Sequence, residues 1–137
     1  GRAQAFRLAG QDLARRIDAQ AAVRALAEAA GEALPIMVFV PNPGCIQIHS
    51  GPVHRVEPRG PWFNVLDPRF NLHLRTDRLA HAWLVRKPTT DGIVTSIEAF
   101  DAENRLVLML FGTRKPGMPE AASWRALAGR IAGAASC

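Results

Sequence analysis

The period of hydrophobic and polar positions is two through the middle of this chain and close to helical at both ends. The clearest stretch is residues 79–101. His81, Trp83, Val85 and Lys87 fall on one face, and Ala80, Ala82, Leu84 and Arg86 on the other. After a break, Ile93, Thr95, Ile97 and Ala99 alternate with Val94, Ser96, Glu98 and Phe100. In the break, Pro88 removes a ladder donor and Asp91-Gly92 supplies the positive φ of a tight reversal. The pattern predicts a hairpin with Arg86 and Lys87 at the end of its first strand, from which neighbouring strands pair outward.

The remaining pattern divides the chain into three parts. Residues 1–32 read as two adjacent short helices, with Phe6, Leu8, Leu13 and Ile17 on one side and charges on the other. Asp18 is the expected N-cap of the second helix, and Gly31 its stop. Residues 35–112 read as strands. Ile36-Met37-Val38-Phe39-Val40 is a continuous apolar run, as for a strand buried on both faces. Cys45-Ile46-Gln47-Ile48-His49 follows the Pro41-Asn42-Pro43-Gly44 turn as its partner. Further strands are expected at 53–57, 62–66, 70–75 and 105–111. Residues 116–134 return to helix, with Pro119 in the first turn and Trp124, Leu127 and Ile131 at helical spacing. The fold class is α+β: a large antiparallel meander of about eight strands, with N-terminal helices and a C-terminal helix packed on one face.

Composition refines this picture modestly. A chain of 137 residues with 48% hydrophobic positions forms one domain with a real core. Seventeen Lys plus Arg against twelve Asp plus Glu give a net charge of +5, which favours an anionic partner. The cations are spread along the chain rather than gathered in a tail, so nucleic acid is not the expected partner. Two cysteines, Cys45 and Cys137, are too few for a disulfide scaffold; Cys45, in an apolar strand, reads as a buried free thiol, and the setting as a reducing cytosol. No run reaches the ~20 apolar residues of a membrane span. The start at Gly1-Arg2 suggests a processed product or a fragment.

The four histidines, His49, His54, His73 and His81, form no recognised metal-ligand spacing, and structural roles are expected for each. No phosphate loop and no nucleophile–base order stands out, so no catalytic or metal-ligating residue is assigned. Met37, Met109 and Trp62 beside Phe63 read as core. The constellation with chemical content is cationic: Arg2 on the first helix, Arg86 and Lys87 at a strand end, and Arg114 with Lys115 after the last strand. If the last strand pairs with the hairpin, Lys87 and Arg114 share one rim of the sheet. Such a rim above an apolar floor suits a flat apolar ligand bearing carboxylates. A solvated edge whose charges block strand addition explains the same spacing.

Several runs resemble one known family. They are Gly44-Cys45-Ile46-Gln47-Ile48, Gly60-Pro61-Trp62-Phe63-Asn64-Val65-Leu66, Phe70-Asn71-Leu72-His73-Leu74, Val85-Arg86-Lys87-Pro88-Thr89, Asp91-Gly92 with Val94-Thr95-Ser96, and Trp124-Arg125. In this order and spacing they are similar to the haem-utilisation family of HemS, HmuS and PhuS type, the cytoplasmic haemin-handling proteins of Gram-negative bacteria. Members have two similar halves, and residues 1–137 resemble the second repeat alone. The resemblance implies haem as the cofactor and partner. It places Arg2, Lys87 and Arg114 at the propionates, and Phe111 where the family has a tyrosine, without its hydroxyl. The family's axial histidine lies upstream of Arg2, and the arginine on the other face of the iron belongs to the first half; both fall outside this chain. The implied role is cytoplasmic haem binding in haemin transport or haem degradation for iron acquisition. Members are described both as carriers and as degrading enzymes, so the enzyme question stays open. Further implied partners are a haem oxygenase and the first half of the parent protein. The alternative is a stand-alone homodimeric haem-storage or protein-interaction module, since small single-domain storage relatives are dimers.

Overall fold

The structure is a computed structural model that describes Arg2 and residues 13–134. The chain runs β1 (Ala14–Ile17), α1 (Ala21–Gly31), β2 (Pro35–Asn42), β3 (Cys45–Pro52), β4 (Val56–Arg59), β5 (Trp62–Asp67) and β6 (Phe70–Arg75). A short 3-10 turn (Thr76–Arg78) leads to β7 (His81–Thr89), β8 (Gly92–Phe100), β9 (Leu106–Gly112) and α2 (Ala122–Ala134). All the ladders are antiparallel. Six strands form one sheet in the order β1-β7-β8-β9-β2-β3, and β4-β5-β6 form a second.

The hairpin of β7 and β8 has the expected register, from His81 opposite Phe100 to Thr89 opposite Gly92. Gly92 supplies φ +106°, and the Thr89 hydroxyl donates to its carbonyl at 2.6 Å. The pleat then decides burial. Ala82, Leu84, Ile97 and Ala99 face the helices, together with Leu108, Leu110, Ile36 and Val38 from the neighbouring strands. Against them pack Ala21, Ala22, Ala25, Leu26 and Ala29 of α1 and Trp124, Leu127, Ala128 and Ile131 of α2. Alanines on α1 let it lie close to the sheet. Arg130 of α2 donates to Glu28 and Glu32 beside α1, at 2.7 and 2.8 Å.

The last helix is tied to β8 by polar contacts as well. Trp124, fully buried, donates its indole N–H to the Thr95 carbonyl at 2.9 Å. The buried Glu120 carboxylate accepts the Thr95 backbone N–H at 2.8 Å and its hydroxyl at 2.6 Å. The Trp124 indole N–H and the Glu120 carboxylate are thereby satisfied, which is the condition for keeping them in an apolar interface.

Several expectations need correction. Residues 14–17, expected to be helical, form the edge strand β1 paired with β7, Ala14 opposite Val85 and Ile17 opposite Ala82. Alternation there is short and helix propensity high, but an available strand edge outweighs propensity. Leu13 is exposed at 43% rather than core, and Phe6 and Leu8 lie outside the described residues. Gln20, not Asp18, caps α1; Asp18 accepts the Gln20 N–H through its carboxylate instead. The strands divide into two sheets because the chain leaves the large sheet after Pro52. There the Asp67 carboxylate holds the backbone N–H groups of His54 and Arg55 at 2.9 and 2.7 Å, and β4 starts only at Val56. The final helix begins at Ala122, so Pro119 precedes it. Cys45 is exposed, because it opens the edge strand β3 opposite Asn42. Trp62 is 39% exposed under the Arg75 guanidinium, whereas Phe63 is buried.

The β8–β9 connection makes a pH prediction. Asp101 accepts the backbone N–H groups of Glu103 and Arg105 and the Arg105 guanidinium. The Arg105 backbone bond is the first cause that holds its carboxyl below the usual value of 3.8. A lowered folded pKa contributes stability above the unfolded value and loses it as pH falls below that. Protection of the Glu103 and Arg105 amides, taken relative to the intrinsic exchange rate at each pH, should therefore fall on acidification below about pH 4, and an Asp101→Asn variant should lack that step.

Candidate haem face of the large sheet

The face of the large sheet opposite α1 and α2 carries the other half of every alternation. Cross-strand neighbours put Met37 beside Phe111 and Phe111 beside Ser96, then Phe39 beside Met109 and Met109 beside Glu98. On the far side of β8, Glu98 faces Trp83 and Ser96 faces Val85. Phe39 and Phe111 meet edge to face, with ring centroids 5.2 Å apart. Met37, Phe39, Met109 and Phe111 are all only half-buried, so the methionines are less enclosed than core residues. Their polarizable and aromatic surface is a floor with area left to cover.

In the middle of this floor stands a carboxylate. Glu98 is 1% exposed. The Arg2 guanidinium grips it through Nε and Nη2, the latter 3.0 Å from Oε2, and Ser96 donates its hydroxyl to the same oxygen at 2.9 Å. Nη2 of Arg2 also lies 3.6 Å from the Met109 sulfur. The bond to Glu98 raises the guanidinium pKa above its ordinary value, so Arg2 carries its charge throughout the accessible pH range. A carboxylate on an apolar sheet is tolerated only when paired in this way. Arg2→Ala would leave Glu98 with the Ser96 hydroxyl as its remaining partner among the described residues. We expect a loss of about 1–3 kcal/mol in urea unfolding, with Arg2→Lys recovering part of it because lysine cannot span both oxygens.

The cationic rim lies at the hairpin-turn end. Lys87 pairs with Val94, four residues from Glu98 and so about 13 Å from it along β8. Arg114 follows the end of β9 at Gly112, and β9 is the strand next to β8. Both side chains are exposed, and neither is in an ion pair among the described residues. Arg114 lines a cleft of about 370 Å³ with Met37, Asp91, Lys115 and Pro116, and Asp91 accepts the Gly117 N–H at 3.3 Å to hold the loop. Arg2 and Phe111 thus share one face, with Lys87 and Arg114 at its rim. Ser96 and Glu98 were not singled out from the sequence. Their signal is two polar residues in step with Val94 and Phe100 on an otherwise apolar strand, but the partner that explains them is 96 residues away.

None of the histidines joins this rim. His81 is buried and stacked on Phe100 at the opposite end of β7, six residues or about 20 Å from Lys87. His49 stacks on Phe70, His54 is exposed, and His73 shares a 2.8 Å hydrogen bond with Asn64. No group of three or more His, Cys, Asp or Glu able to hold a metal ion occurs among the described residues. No helix of the described chain is long and apolar enough to cross a membrane.

Comparison with known proteins shows the family and the fold. The haemin-degrading HemS/ChuX domain matches residues 1–131. The haemin transport protein HemS of Yersinia enterocolitica is 44% identical over 124 residues, 90% of this chain and 36% of that protein. Apo-PhuS, a haem-binding protein from Pseudomonas aeruginosa, superposes with a TM-score of 0.91 at 56% identity, over 94% of this chain and 38% of that one. ChuS, an E. coli haem oxygenase, gives a TM-score of 0.91 at 42% identity, over 95% and 40%. The chain therefore spans little more than a third of the length of these relatives. It belongs to the haemin-degrading HemS/ChuX domain family.

Proposed function

We propose that this domain binds haem on the Met/Phe face of its large sheet, as the second repeat of a longer cytoplasmic protein of bacterial haem-iron uptake. The observation that carries the reading is the pairing of a flat, half-covered apolar floor with two exposed cations at one end of it, neither in an ion pair among the described residues. Haem is a flat apolar disc with two propionates on one edge, and both features are met. Lys87 and Arg114 bind the propionates by charge-assisted hydrogen bonds, Phe111 and Met109 lie against the macrocycle, and Arg2 borders the site from its place on Glu98. Met37 and Met109 bring thioethers to this face, and His81, on the same face of β7, is buried against Phe100; in this reading the axial histidine comes from elsewhere in the protein. Bound haem would bring the redox chemistry of its own iron; the chain supplies orientation and charge. Within that reading the domain hands haem on, to a haem oxygenase or to the first half of its own protein.

Competition between haemin and haemin dimethyl ester tests the propionate assignment. The ester keeps the disc and the iron and loses both charges. It should bind at least ~10-fold more weakly, the worth of one charge-assisted bond; equal affinity would place the recognition elsewhere.

A second reading rests on the edge strand β3, where Ile46 and Ile48 are 49% and 55% exposed. Such a strand suits pairing with a second copy, as in a dimeric haem-storage module. A sizing column run with and without haemin separates the two: dimerisation in its absence favours this second reading.

A further inference from the structure

A cleft on the other side of β2, between the two sheets, is not part of the haem face. Val38 pairs with His49 and Val40 with Gln47, and these four side chains point away from Met37 and Phe39. Opposite them stands Phe70, at the start of β6. The Phe70 and His49 rings are nearly parallel, 8° apart in plane with centroids 4.1 Å apart. On one side of this stack the cleft encloses about 530 Å³, with Arg69, Asn71 and Leu72 in its wall. On the other side about 320 Å³ opens beside Gly51 and Pro52, again next to Arg69.

We propose that this cleft binds a small organic anion with a flat apolar body, anchored on Arg69 and His49. Nε2 of His49 is buried and has no hydrogen-bond partner among the described residues. The edge that carries it is turned toward Gly51: a Cβ there would stand 3.9 Å from both Cε1 and Nε2. A buried imidazole nitrogen without a partner is a hydrogen bond left for a ligand or an ordered water to make. Arg69 is exposed at the mouth and makes no ion pair among the described residues, so its planar fork is available to a carboxylate. The acid in the same wall, Asp67, already has its two oxygens bonded to the backbone of His54 and Arg55. On the Gly51 side, where Nε2 points, Pro52, Pro68 and the Phe70 ring supply the apolar contact, and the volume of about 320 Å³ falls within the range of small-molecule sites. Because the pleat puts Val38 and Phe39 on opposite faces of β2, an anion here does not compete for Lys87 and Arg114.

Titration of 2-naphthoate into the whole chain, read at the His49 ring protons by NMR, tests the site. A saturable shift is expected at His49 and not at His81. Arg69→Gln should weaken binding at least ~10-fold with an unchanged melting temperature, as this side chain makes no hydrogen bond or ion pair among the described residues. Neutral 2-naphthalenemethanol should bind more weakly by the same factor, and Lys87→Ala with Arg114→Ala should change nothing. The proposal is overturned if His49 does not shift, as it would not were an ordered water alone its partner. It is equally overturned by unchanged affinity in Arg69→Gln, or by binding that disappears with Lys87 and Arg114.

Discussion

Replacing Lys87 and Arg114 together by alanine should lower haem affinity in the longer protein about 100-fold, or ~3 kcal/mol, from two charge-assisted bonds of about 1.5 kcal/mol each. Both side chains are exposed and unpaired among the described residues, so their removal leaves no buried charge behind and the fold should melt as before. The single variants separate the contributions. Arg114→Lys should recover less than Lys87→Arg, because a guanidinium can bind a carboxylate through two parallel bonds and an ammonium cannot. Affinity, measured by competition with apomyoglobin, and melting temperature together decide the matter. A fall in affinity with an unchanged melt supports the propionate rim; an unchanged affinity removes it.

Trp124→Ala should destabilise the domain by about 3–5 kcal/mol in urea unfolding, the usual range for deleting a fully buried large aromatic. Trp124 is 0% exposed, and its indole ends on the Thr95 carbonyl of β8. Trp124→Phe should cost less, since it keeps most of the ring contacts and leaves one carbonyl unpaired. The reverse experiment tests the same joint. A methyl on Gly112 would sit 2.7 Å from the Trp124 ring carbons, so Gly112→Ala should cost about 1–3 kcal/mol by overpacking. If Trp124→Ala unfolds at the same urea concentration as the parent, α2 does not hold the sheet and the packing described above is wrong.

How far the sequence carried depended on the range of the interactions. The β7–β8 hairpin was legible in full because alternation, Pro88 and Asp91-Gly92 are local signals that agree, and the structure follows that register from His81 to Thr89. The helical spacing of Trp124, Leu127 and Ile131 likewise marked the buried face of α2. β1 was misread because residues 14–17 have helical propensity and reveal their strand character only through β7, which lies far along the chain. The division into two sheets was hidden for a related reason. It turns on Asp67 reaching back to the backbone of His54 and Arg55, a contact that no periodicity records. In the candidate haem site, local spacing indicated the shared rim of Lys87 and Arg114. Arg2 was singled out by its charge and given its place by family resemblance, Phe111 came from resemblance alone, and Glu98 came only from the structure, because what makes it meaningful is the Arg2 guanidinium folded onto it. Cys45 shows the opposite error: an apolar neighbourhood in sequence says nothing about being on the outer strand of a sheet.

The central claim is that the Met/Phe face binds haem while the iron takes its ligand from another part of the protein. The measurement that tests it most directly is a haemin titration followed at the Soret band, for this chain and for a form extended upstream of Gly1. The account predicts a sharp, stoichiometric Soret shift in the extended form and a weaker, ill-defined change in the chain alone. No saturable shift in the extended form would contradict haem binding itself. A sharp shift in the chain alone would make one of its own histidines or methionines the ligand and contradict the placement of the iron.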